Sequence, residues 1–562
     1  MTKVKLIPLY LRTIAHLRPR QVVCRGRNAI RKLANGYPYS SPVNVRYPVE
    51  WAGVEPAAPF VSRHWIDSSA ISHNNFRFLN QSLGCGERIE WNPRDANRLW
   101  RYNLHYFDYL HPDNPLDPAT GLGLIQDWVE NNRPGAPDAR DPYPTSLRLV
   151  NWIKYLNQIN YTPSEVNPLV QSAFLQAGRL EQSLEYHLLG NHLLKNAKAL
   201  IFCGIFFKGK DAERWLSKGT SILSDELHEQ ILPDGGHFER SPMYHSMVLE
   251  DCLDLLNVCA NKPHTGLERL SELLRERLPS MVRFLFGMTH PDGRIALFND
   301  AAFSMEVAPQ HLAQYFLNMV EKPLPGTINS SLSFPDSGYF IMAPRDGERM
   351  VIDCGPIGPD YQPGHSHCDT LSFELSIKGH RVIVDSGCFQ YEDGPIRQYN
   401  RGNPGHNTVS IDGQNQSEVW GAHRCARRAR PLYARLERNH GDIIFEGAHD
   451  GYRRLKGSPV HHRRVLLSKN TYSIKDSIEG CGIHLIESRL HIHPALSVDL
   501  TSEGAVIRYR QEFLAAISSI QPIEKADGWY CPEFGIKEPC CVLRISLPGA
   551  SLPCDTGWVI RT

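Results

Sequence analysis

The pattern of hydrophobic and polar positions divides the chain into two regions with different periods. From Pro93 onward, apolar residues recur every three to four positions, as at Trp215, Leu216, Leu223 and Leu227, within segments that Pro and Gly residues separate. This spacing is typical of amphipathic helices, and short connections between helices favour antiparallel neighbours. We therefore predict about ten consecutive helices, arranged as an open or closed ring of helical hairpins.

A second pattern begins after a Pro-, Gly- and Ser-rich stretch at residues 322–336, which marks a domain boundary. Beyond it, apolar and polar residues alternate, as at Leu371, Phe373 and Leu375, and turn residues separate many such segments. Alternation with period two indicates strands, and their number favours an antiparallel sandwich. The predicted fold class is α+β multidomain. Its predicted parts are an N-terminal segment (1–92), a helical domain (93–325), a linker (326–337) and a β domain (338–562).

The N-terminal segment begins with a basic helix that has an apolar side. Arginines such as Arg12 and Arg18 punctuate the stretch, and Leu6, Leu11 and Ile14 form the apolar side. The preferred interpretation is a helix packed on the body of the protein, and the alternative is a weak contact with an anionic membrane surface. No apolar run is long enough for a signal peptide or for a membrane span, so we expect a cytoplasmic protein.

Composition narrows the classes of partner and compartment. Lys and Arg (61) balance Asp and Glu (60), and no basic stripe favours binding to nucleic acid. The 14 cysteines are scattered without C-x-x-C spacing, which favours a reducing compartment. We therefore expect no nucleic-acid partner and a protein that acts inside the cell.

Candidate metal ligands frame one predicted hairpin of the β domain. His365 and His367 form an H-x-H motif before the hairpin, Asp385 ends it, and His406 follows. The hairpin brings the H-x-H end and Asp385 to one edge of the sheet, and imidazole with carboxylate suits zinc or a related divalent ion. Asp369 is a candidate acceptor behind a ligating histidine. The alternative is that the H-x-H motif is an accident of a loop and that Asp385 is a turn residue.

Two stretches of the helical domain carry polar groups suited to acid–base chemistry. Asn191 and His192 open one helix, and a second stretch contains Arg240, Tyr244 and His245. Each stretch has a structural alternative, because Asn at a helix start is commonly a cap and a Tyr-His pair in a helix is commonly half-buried packing. Taken singly, neither stretch decides between these interpretations.

Taken together, the order of these motifs resembles the heparinase II/III family. An Asn-His pair in a helix is followed by an R-x-x-x-Y motif, and then by H-x-H, Asp and His in a β domain. The resemblance extends over residues 95–480, and the helical part also resembles the related alginate lyases. It implies an incomplete (α/α) toroid followed by an antiparallel β-sandwich, and lyase activity on polysaccharides that contain uronic acid.

The resemblance also implies roles for individual residues. The catalytic residues that it implies are Asn191, which neutralises the substrate carboxylate, His192, Tyr244 and His365. The metal ligands that it implies are His367, Asp385 and His406. Lys195 departs from the family pattern, because some heparinases carry a Glu one turn after the catalytic His. This departure argues against a heparin-type specificity.

The residues themselves allow this chemistry. β-Elimination removes the C5 proton of a uronate and expels the C4 oxygen, so donors must first neutralise the neighbouring carboxylate. Asn191 offers amide N–H groups and Arg240 a fixed charge. His192 titrates near neutral pH and is suited to act as the base. Tyr244, with an ordinary pKa of about 10, is suited to protonate the leaving oxygen, unless nearby cations lower its pKa enough to make it a base.

Two other functions stay open at this point. A glycoside hydrolase on the same scaffold would use paired carboxylates, and Asp234, Glu239 and Asp251 lie near Tyr244 in the sequence. A non-catalytic component that binds or assembles polysaccharide would not need the acid–base residues. The candidate substrate-binding residues are Arg148, Arg240, His245, Arg397, Arg401 and His423. The arginines among them favour an anionic polysaccharide as substrate.

Overall fold

The structure, a computed structural model, describes residues 3–35, 49–84, 86, 88–132, 136, 138–260, 265–303, 305, 307–320 and 331–562. Residues 36–48 of the predicted N-terminal segment and residues 326–330 of the predicted linker lie outside this set. The predicted domain boundaries therefore stay predictions, whereas the described elements decide the fold class.

The N-terminal segment contributes short elements to the described chain. They are α1 (Lys3–Ile14), α2 (Pro19–Asn35), α3 (Ser68–Ser72) and the strands β1 (Asn75–Phe78) and β2 (Gln81–Gly84), which pair as an antiparallel hairpin. Helix α3 begins where Asp67 accepts hydrogen bonds from the backbone N–H groups of Ser69 and Ala70. Residues 49–84 otherwise follow the surface of the helical domain, where the backbone N–H of Ala52 donates to the carbonyl of Phe206.

The helical domain consists of consecutive helices at the predicted period. They are α4 (Arg98–Tyr106), α5 (Pro118–Asn131), α6 (Pro142–Gln158), α7 (Pro163–Gln182), α8 (Gly190–Phe206), α9 (Lys210–Gln230), α10 (Pro242–Cys259), α11 (Thr265–Gly287) and α12 (Pro309–Met319). Helices α4, α6, α8, α10 and α12 contact one another in series, and the intervening helices pack against them. Helix α10 is buried over nearly its whole length, whereas α9 keeps an exposed polar side. This two-layered arrangement is the predicted incomplete toroid.

The C-terminal domain is built from antiparallel sheets. A five-stranded sheet has the order β3 (Leu332–Phe334), β4 (Tyr339–Arg345), β5 (Glu348–Asp353), β6 (Phe373–Ile377) and β7 (His380–Ile383). Helix α13 (Pro395–Arg401), β8 (Val409–Ile411) and the short pair β9 (Val419–Trp420) and β10 (Arg424–Cys425) follow in the chain. The remaining strands are β11 (Pro431–Asn439), β12 (Asp442–His449), β13 (Val460–Ser468), β14 (Thr471–Glu479), β15 (Ile483–His491), β16 (Ser497–Thr501), β17 (Gly504–Tyr509), β18 (Glu512–Ser518), β19 (Glu524–Tyr530), β20 (Glu538–Ser551) and β21 (Cys554–Arg561).

These later strands form two further sheets that pack on the first. An eight-stranded sheet runs β11-β12-β13-β14-β21-β18-β17-β16, and a four-stranded sheet runs β19-β20-β15-β8. Phe373 and Leu375 of β6 share one core with Phe445 of β12, Val465 of β13 and Trp558 of β21, so the sheets bury their facing side chains against each other. The predicted fold class, a helical toroid followed by an antiparallel β domain, is confirmed.

The helical and β domains also share a core, which fixes the walls of the cleft between them. Val384 and Cys388, which follow β7, belong to the same buried apolar cluster as the toroid helices, as does Tyr530 at the end of β19. The H-x-H motif and the start of α8 therefore approach each other across a packed boundary. Among the described helices, none is both long enough and apolar enough to cross a membrane.

Candidate active site

The start of helix α8 holds Asn191 against a buried carboxylate. Gly190 adopts a left-handed backbone conformation (φ 58°), and a Cβ atom there would lie 2.3 Å from Oε1 of Glu239. This close approach lets Glu239 accept hydrogen bonds from the backbone N–H of Asn191 (2.9 Å) and from its side-chain Nδ2 (2.9 Å to Oε2). Oδ1 of Asn191 is buried without a hydrogen-bond partner among the described residues. Glycine is required here because a side chain would push Glu239 away.

His192 follows directly and is held by a carboxylate of its own. Its Nδ1 donates to Oε1 of Glu185 (3.1 Å), and its ring packs on that of Tyr143 at 4.4 Å between centroids. Burial alone would lower the pKa of His192, but attraction by Glu185 and the hydrogen bond to it outweigh burial and raise that pKa. With Nδ1 occupied, Nε2 is the nitrogen left to accept a proton.

Tyr244 lies in the first turn of α10, in contact with the H-x-H motif of the β domain. Ser241 caps this helix by accepting a hydrogen bond from the backbone N–H of Tyr244 (3.3 Å). The rings of Tyr244 and His365 are 3.9 Å apart between centroids, and the hydroxyl oxygens of Tyr244 and Tyr391 are 2.9 Å apart. Burial, with the nearby carboxylates of Asp300 and Glu239, raises the pKa of Tyr244 well above its ordinary value. Tyr244 therefore keeps its proton at neutral pH.

Glu239 links the two walls of the cleft. Its Oε2 lies 2.9 Å from Nδ2 of Asn191 and 3.7 Å from Nε2 of His365. Two predicted catalytic residues, Asn191 and His365, thus flank one buried carboxylate, and Tyr244 packs on His365. His192 follows Asn191 in the chain. From the sequence, Glu239 is a candidate only as a hydrolase carboxylate, because no spacing signal indicates this bridging position.

Asp300 joins both histidines of the H-x-H motif and was not predicted. Its Oδ2 accepts from Nδ1 of His365 (3.0 Å), and its Oδ1 accepts from Nε2 of His367 (2.8 Å). Arg397 forms an ion pair with the same carboxylate. Burial would raise the pKa of Asp300, but Arg397 and the two histidines outweigh burial and hold that pKa well below its usual range. A permanent charge on Asp300 therefore orients both imidazole rings.

A group of buried donor atoms lies behind the H-x-H motif. Nδ1 of His367 and Nε2 of His406 have no hydrogen-bond partner in the described part of the chain. His367, Asp369 and His406 each offer one possible ligand atom, and these three atoms lie within 4.8 Å of one another. Two bare imidazole nitrogens and a carboxylate form a donor set that fits a divalent ion such as zinc.

The positions of the two aspartates in this group differ from the assignment made from the sequence. Oδ2 of Asp385 accepts from Nδ1 of His406 (2.7 Å), and its Oδ1 accepts from the backbone N–H of Gly387 (3.2 Å). Asp385 therefore lies behind His406, where it turns the free Nε2 toward the group, and Asp369 lies among the donors. The donor group of the structure thus contains Asp369 where the prediction from the sequence has Asp385, and the ligand role of Asp385 stays a prediction.

Three predicted substrate-binding residues are corrected to structural roles. Arg148 is fully buried in α6, where it donates to Gln176 and to the carbonyl of His105. Arg401 is fully buried and donates to the carbonyls of Ser366, Gly421 and Arg424. His245 is buried against Phe284, and its Nε2 donates to the carbonyl of Met281. Backbone carbonyls and an amide accept hydrogen bonds from these side chains inside the core, so they do not line the cleft.

The other predicted substrate-binding residues lie near the cleft in different ways. Arg240 is largely buried and donates to the carbonyls of Phe238, Asp336 and Ser337, so it fastens the turn between β3 and β4 to the helical domain. Arg397 pairs with Asp300, and His423 packs near Tyr391 at 5.3 Å between ring centroids. Of this group, His423 is the residue that the structure brings to the open side of the Tyr244–His365 pair.

The carboxylates proposed for a hydrolase are committed to other partners. Asp251 accepts from Lys195 and Lys198, both at 2.8 Å. Asp234 accepts from the backbone N–H and the hydroxyl of Ser337, at 2.7 and 2.6 Å. Glu239 accepts from Asn191. Together these contacts leave the set without a pair of carboxylates that face each other across the cleft, as a glycosidase requires.

Comparison with known proteins agrees with this geometry. Residues 145–322 match the family model described as Heparinase II/III N-terminus, and residues 328–559 match the one described as Heparinase II/III-like, C-terminal. The chain belongs to the heparinase II/III-like family. Both the helical wall and the β wall of the site fall within the matched residues, so the resemblance noted from the sequence motifs is confirmed.

Individual relatives share the family fold at low identity. A heparin-sulfate lyase of Pedobacter heparinus is 26% identical over 420 residues, which are 66% of this chain and 60% of that protein. FtsZ-localized protein C of Caulobacter vibrioides is 25% identical over 453 residues, 75% of each chain. The solved structure of heparinase III superposes with a TM-score of 0.69 at 18% identity and covers 97% of this chain and 93% of that one. The chain thus spans about three fifths of the length of the Pedobacter lyase that it matches.

Proposed function

We propose that this chain is a polysaccharide lyase that cleaves a uronic-acid-containing, glycosaminoglycan-like polysaccharide by β-elimination. The observation that carries the proposal is the meeting of Tyr244, His365 and Asn191 around Glu239 at the domain boundary. Proton removal, carboxylate neutralisation and protonation of the leaving oxygen act on adjacent atoms of one sugar ring, so their agents must be this close. The names of the Pedobacter lyase and of the heparinase III structure support the same reaction class.

Asn191 is proposed to receive the uronate carboxylate. Its amide can donate hydrogen bonds to an anion, and a buried donor is worth more than one in water because competing water is absent. In the structure Glu239 accepts these bonds, so it must share or yield them when the substrate carboxylate arrives. Nε2 of His365 lies 3.7 Å from Oε2 of the same carboxylate, and it offers a second donor when both ring nitrogens carry a proton. We propose that these groups together neutralise the charge beside C5.

His192 is proposed to be the general base that removes the C5 proton. Glu185 holds the Nδ1–H, which leaves the lone pair on Nε2 in the neutral ring. The raised pKa of His192 makes it a stronger base than an isolated histidine, provided that the pH is high enough to deprotonate it. The proton then moves from C5 to Nε2 as the C4–O bond breaks.

Tyr244 is proposed to protonate the leaving C4 oxygen. Burial raises its pKa well above the ordinary value, so it carries its proton at neutral pH. No cationic side chain contacts its hydroxyl among the described residues, whereas the hydroxyl of Tyr391 does, at 2.9 Å. Tyr244 is therefore suited to the role of acid and not to that of base, and Tyr391 can replenish its proton.

A divalent ion, with zinc favoured, is proposed to be held by His367, Asp369 and His406. The two bare imidazole nitrogens and the nearby carboxylate support this site, and Asp385 and Asp300 hold the ligating rings from behind. When bound, the ion would supply rigidity to the loop that carries His365. We assign the acid–base chemistry to the side chains already named.

A second candidate function is that of an assembly component without turnover. It is favoured by the similarity to FtsZ-localized protein C, whose name describes a location and not a reaction. The complete set of Asn191, His192, Tyr244 and His365 speaks for catalysis, because a scaffold has no need of them. A glycoside hydrolase is the weaker alternative, since the candidate carboxylates are already bound.

The deciding experiment is incubation with a panel of uronate polymers, including heparan sulfate, chondroitin sulfate, alginate and polyglucuronate. Growth of ultraviolet absorbance from the unsaturated product identifies a lyase. New reducing ends without absorbance identify a hydrolase, and binding without either identifies the assembly component. A Tyr244→Phe preparation made in parallel excludes a contaminating lyase.

A cytoplasmic setting and a role in capsule or exopolysaccharide metabolism are proposed on composition alone, and fractionation of the native host tests them.

A further inference from the structure

Helices α1 and α2 expose apolar side chains along one side of each helix. On α2 these are Val22, Val23, Ile30 and Leu33, of which Leu33 is 88% and Ile30 68% exposed. On α1 they are Ile7, Leu11 and Ile14, of which Leu11 is 65% exposed. The spacing of three, four and seven residues places each set on one face of its helix. Half of the large hydrophobic residues that are exposed in the described chain lie in these two helices.

The opposite face of each helix contacts the body of the protein mainly through polar groups. Gln21 of α2 is fully buried and donates to the carbonyls of Leu188 and Tyr361. Arg31 of α2 donates to the carbonyl of Gln182.

On α1, Arg12 pairs with Glu418 and the hydroxyl of Thr13 bonds to the backbone of β10. Both helices thus invert the usual arrangement, in which an amphipathic helix turns its apolar face inward. An exposed apolar face of this kind marks an interaction surface.

Charge indicates what this surface meets. The first 36 residues contain nine Lys and Arg and neither Asp nor Glu, although the whole chain is balanced at 61 to 60. Arg20, Arg25, Arg27 and Lys32 are exposed beside the apolar face of α2. A surface that is both apolar and uniformly basic matches the headgroup and acyl boundary of an anionic bilayer. A soluble polyanion would use the charges but leave the apolar side chains in water.

We propose that the apolar faces of α1 and α2 dock on an anionic lipid bilayer. The apolar side chains enter the boundary between headgroups and acyl chains, and the arginines and Lys32 lie against the phosphates. The contact is peripheral, because each helix lies along the surface. Polar contacts tie the two helices to both walls of the cleft. Arg18 pairs with Glu229 of α9 and stacks on Tyr361. Gln21 donates to the carbonyl of Tyr361, and Arg12 pairs with Glu418. Docking would therefore hold the whole cleft near the membrane surface. This inference does not depend on the proposed lyase activity.

Flotation of the full chain with lipid vesicles tests the proposal. The vesicles contain phosphatidylcholine either alone or mixed with phosphatidylglycerol, at physiological salt. The test variant is Val23→Ser/Ile30→Ser/Leu33→Ser, which removes exposed apolar groups and leaves the inner contacts intact. The matched control is Ile483→Ser/Leu500→Ser/Ile520→Ser, which removes three exposed apolar residues of the β domain. A charge variant, Arg27→Gln/Lys32→Gln, provides a second and milder test.

We expect the wild type and the control to float with the mixed vesicles and to stay unbound with phosphatidylcholine alone. The apolar variant should lose binding by about tenfold or more, and the charge variant should lose it in part and become less sensitive to salt. All variants should keep the wild-type circular dichroism spectrum and melting temperature. Wild-type protein that fails to float overturns the proposal, as does an apolar variant that floats normally. Self-association in sedimentation velocity that only the apolar variant loses, without lipid binding, would instead assign the faces to a second copy of the chain.

Discussion

Tyr244 loses its hydroxyl proton less readily than a tyrosine in water, because burial and the carboxylates of Asp300 and Glu239 oppose a phenolate. If it protonates the leaving oxygen, Tyr244→Phe should lower kcat by about 100- to 10,000-fold, the usual contribution of a general acid. The variant loses only a hydroxyl, so melting temperature and metal content should not change. Tyr433→Phe, on strand β11, is the matched control. A Tyr244→Phe protein with a near wild-type rate would remove this residue from the mechanism.

The partner of His192 sets the pH at which the base works. Because Glu185 raises the pKa of His192, the ring is protonated and inactive below that pKa, and kcat/KM should rise with pH through it. Glu185→Gln removes the negative charge, so the pKa of His192 falls and the acidic limb of the pH profile moves to lower pH.

The Glu185–His192 pair also stabilises the fold in the charged form. This stabilisation is complete below the unfolded pKa of histidine and is lost as pH rises through the raised pKa. Glu181→Gln, four residues earlier and paired with Arg214, is the control and should leave the profile unchanged. An acidic limb that stays in place in Glu185→Gln would show that another group is the base.

Some site residues could be predicted from the sequence and others could not, for a physical reason. Asn191, Tyr244 and His365 belong to short motifs whose residue types suit acid–base chemistry, and the structure brings them together. Asp300 belongs to no motif, and it meets His365 only because the toroid and the β domain pack together. Arg401 was predicted to bind substrate because arginines suit an anionic polysaccharide, but its guanidinium donates to three backbone carbonyls in the core.

At the scale of elements, the start of α8 depends on Gly190. Gly190→Ala should cost about 1–2 kcal/mol in the free energy of unfolding, because the residue has a positive φ. It should also lower kcat/KM, because the new Cβ would lie 2.3 Å from Oε1 of Glu239 and displace it from Asn191.

Gly209→Ala is a matched control at the start of α9, since Gly209 has φ 88° and a Cβ atom added there would meet no other atom within 4 Å. We expect it to lose similar stability and no activity, as measured by thermal unfolding and initial rates. Equal activity in the two variants would show that the Asn191–Glu239 contact is dispensable.

The hydrophobic period predicted the elements better than it predicted their faces. The change from period 3.6 to period 2 correctly separated helices α4 to α12 from the strands that begin with β3. Burial of one side of an element imposes the period of that element on its apolar residues. The basic N-terminal helix was predicted to pack on the body of the protein, and α1 does contact it, but the structure turns the apolar residues of α1 and α2 outward. Periodicity fixes which residues share a face, but tertiary contacts such as those of Gln21 decide which face is buried.

At the scale of the whole molecule, the proposed ion would link the loop that carries the H-x-H motif to His406, which lies elsewhere in the β domain. Asp369→Asn should abolish metal binding, because it removes a donor from the group. Asp385→Asn should weaken binding by about 10- to 100-fold, because it only releases the His406 ring. Both variants should melt at lower temperature than the wild type and respond less to added zinc. Elemental analysis after dialysis measures the first effect, and thermal unfolding with and without chelator measures the second.

Asp412→Asn is the control for these substitutions, because Asp412 also accepts from a histidine, His484, at 2.8 Å, but lies outside the donor group. It should keep the wild-type metal content. The reverse order, with metal lost in Asp385→Asn and kept in Asp369→Asn, would restore the assignment made from the sequence. Metal-free wild-type protein of unchanged stability would argue that the histidines serve only packing.

Asp300 gives the two histidines of the H-x-H motif a common support, with consequences for how the site can change. Because one carboxylate bonds both rings, a double-mutant cycle between His365→Ala and His367→Ala should show an interaction energy of about 0.5–3 kcal/mol. The positions of His365 and of the proposed metal group are therefore coupled. A redesign of the cleft for another polymer would need paired substitutions on both sides of Asp300, and single-site libraries would miss the productive combinations.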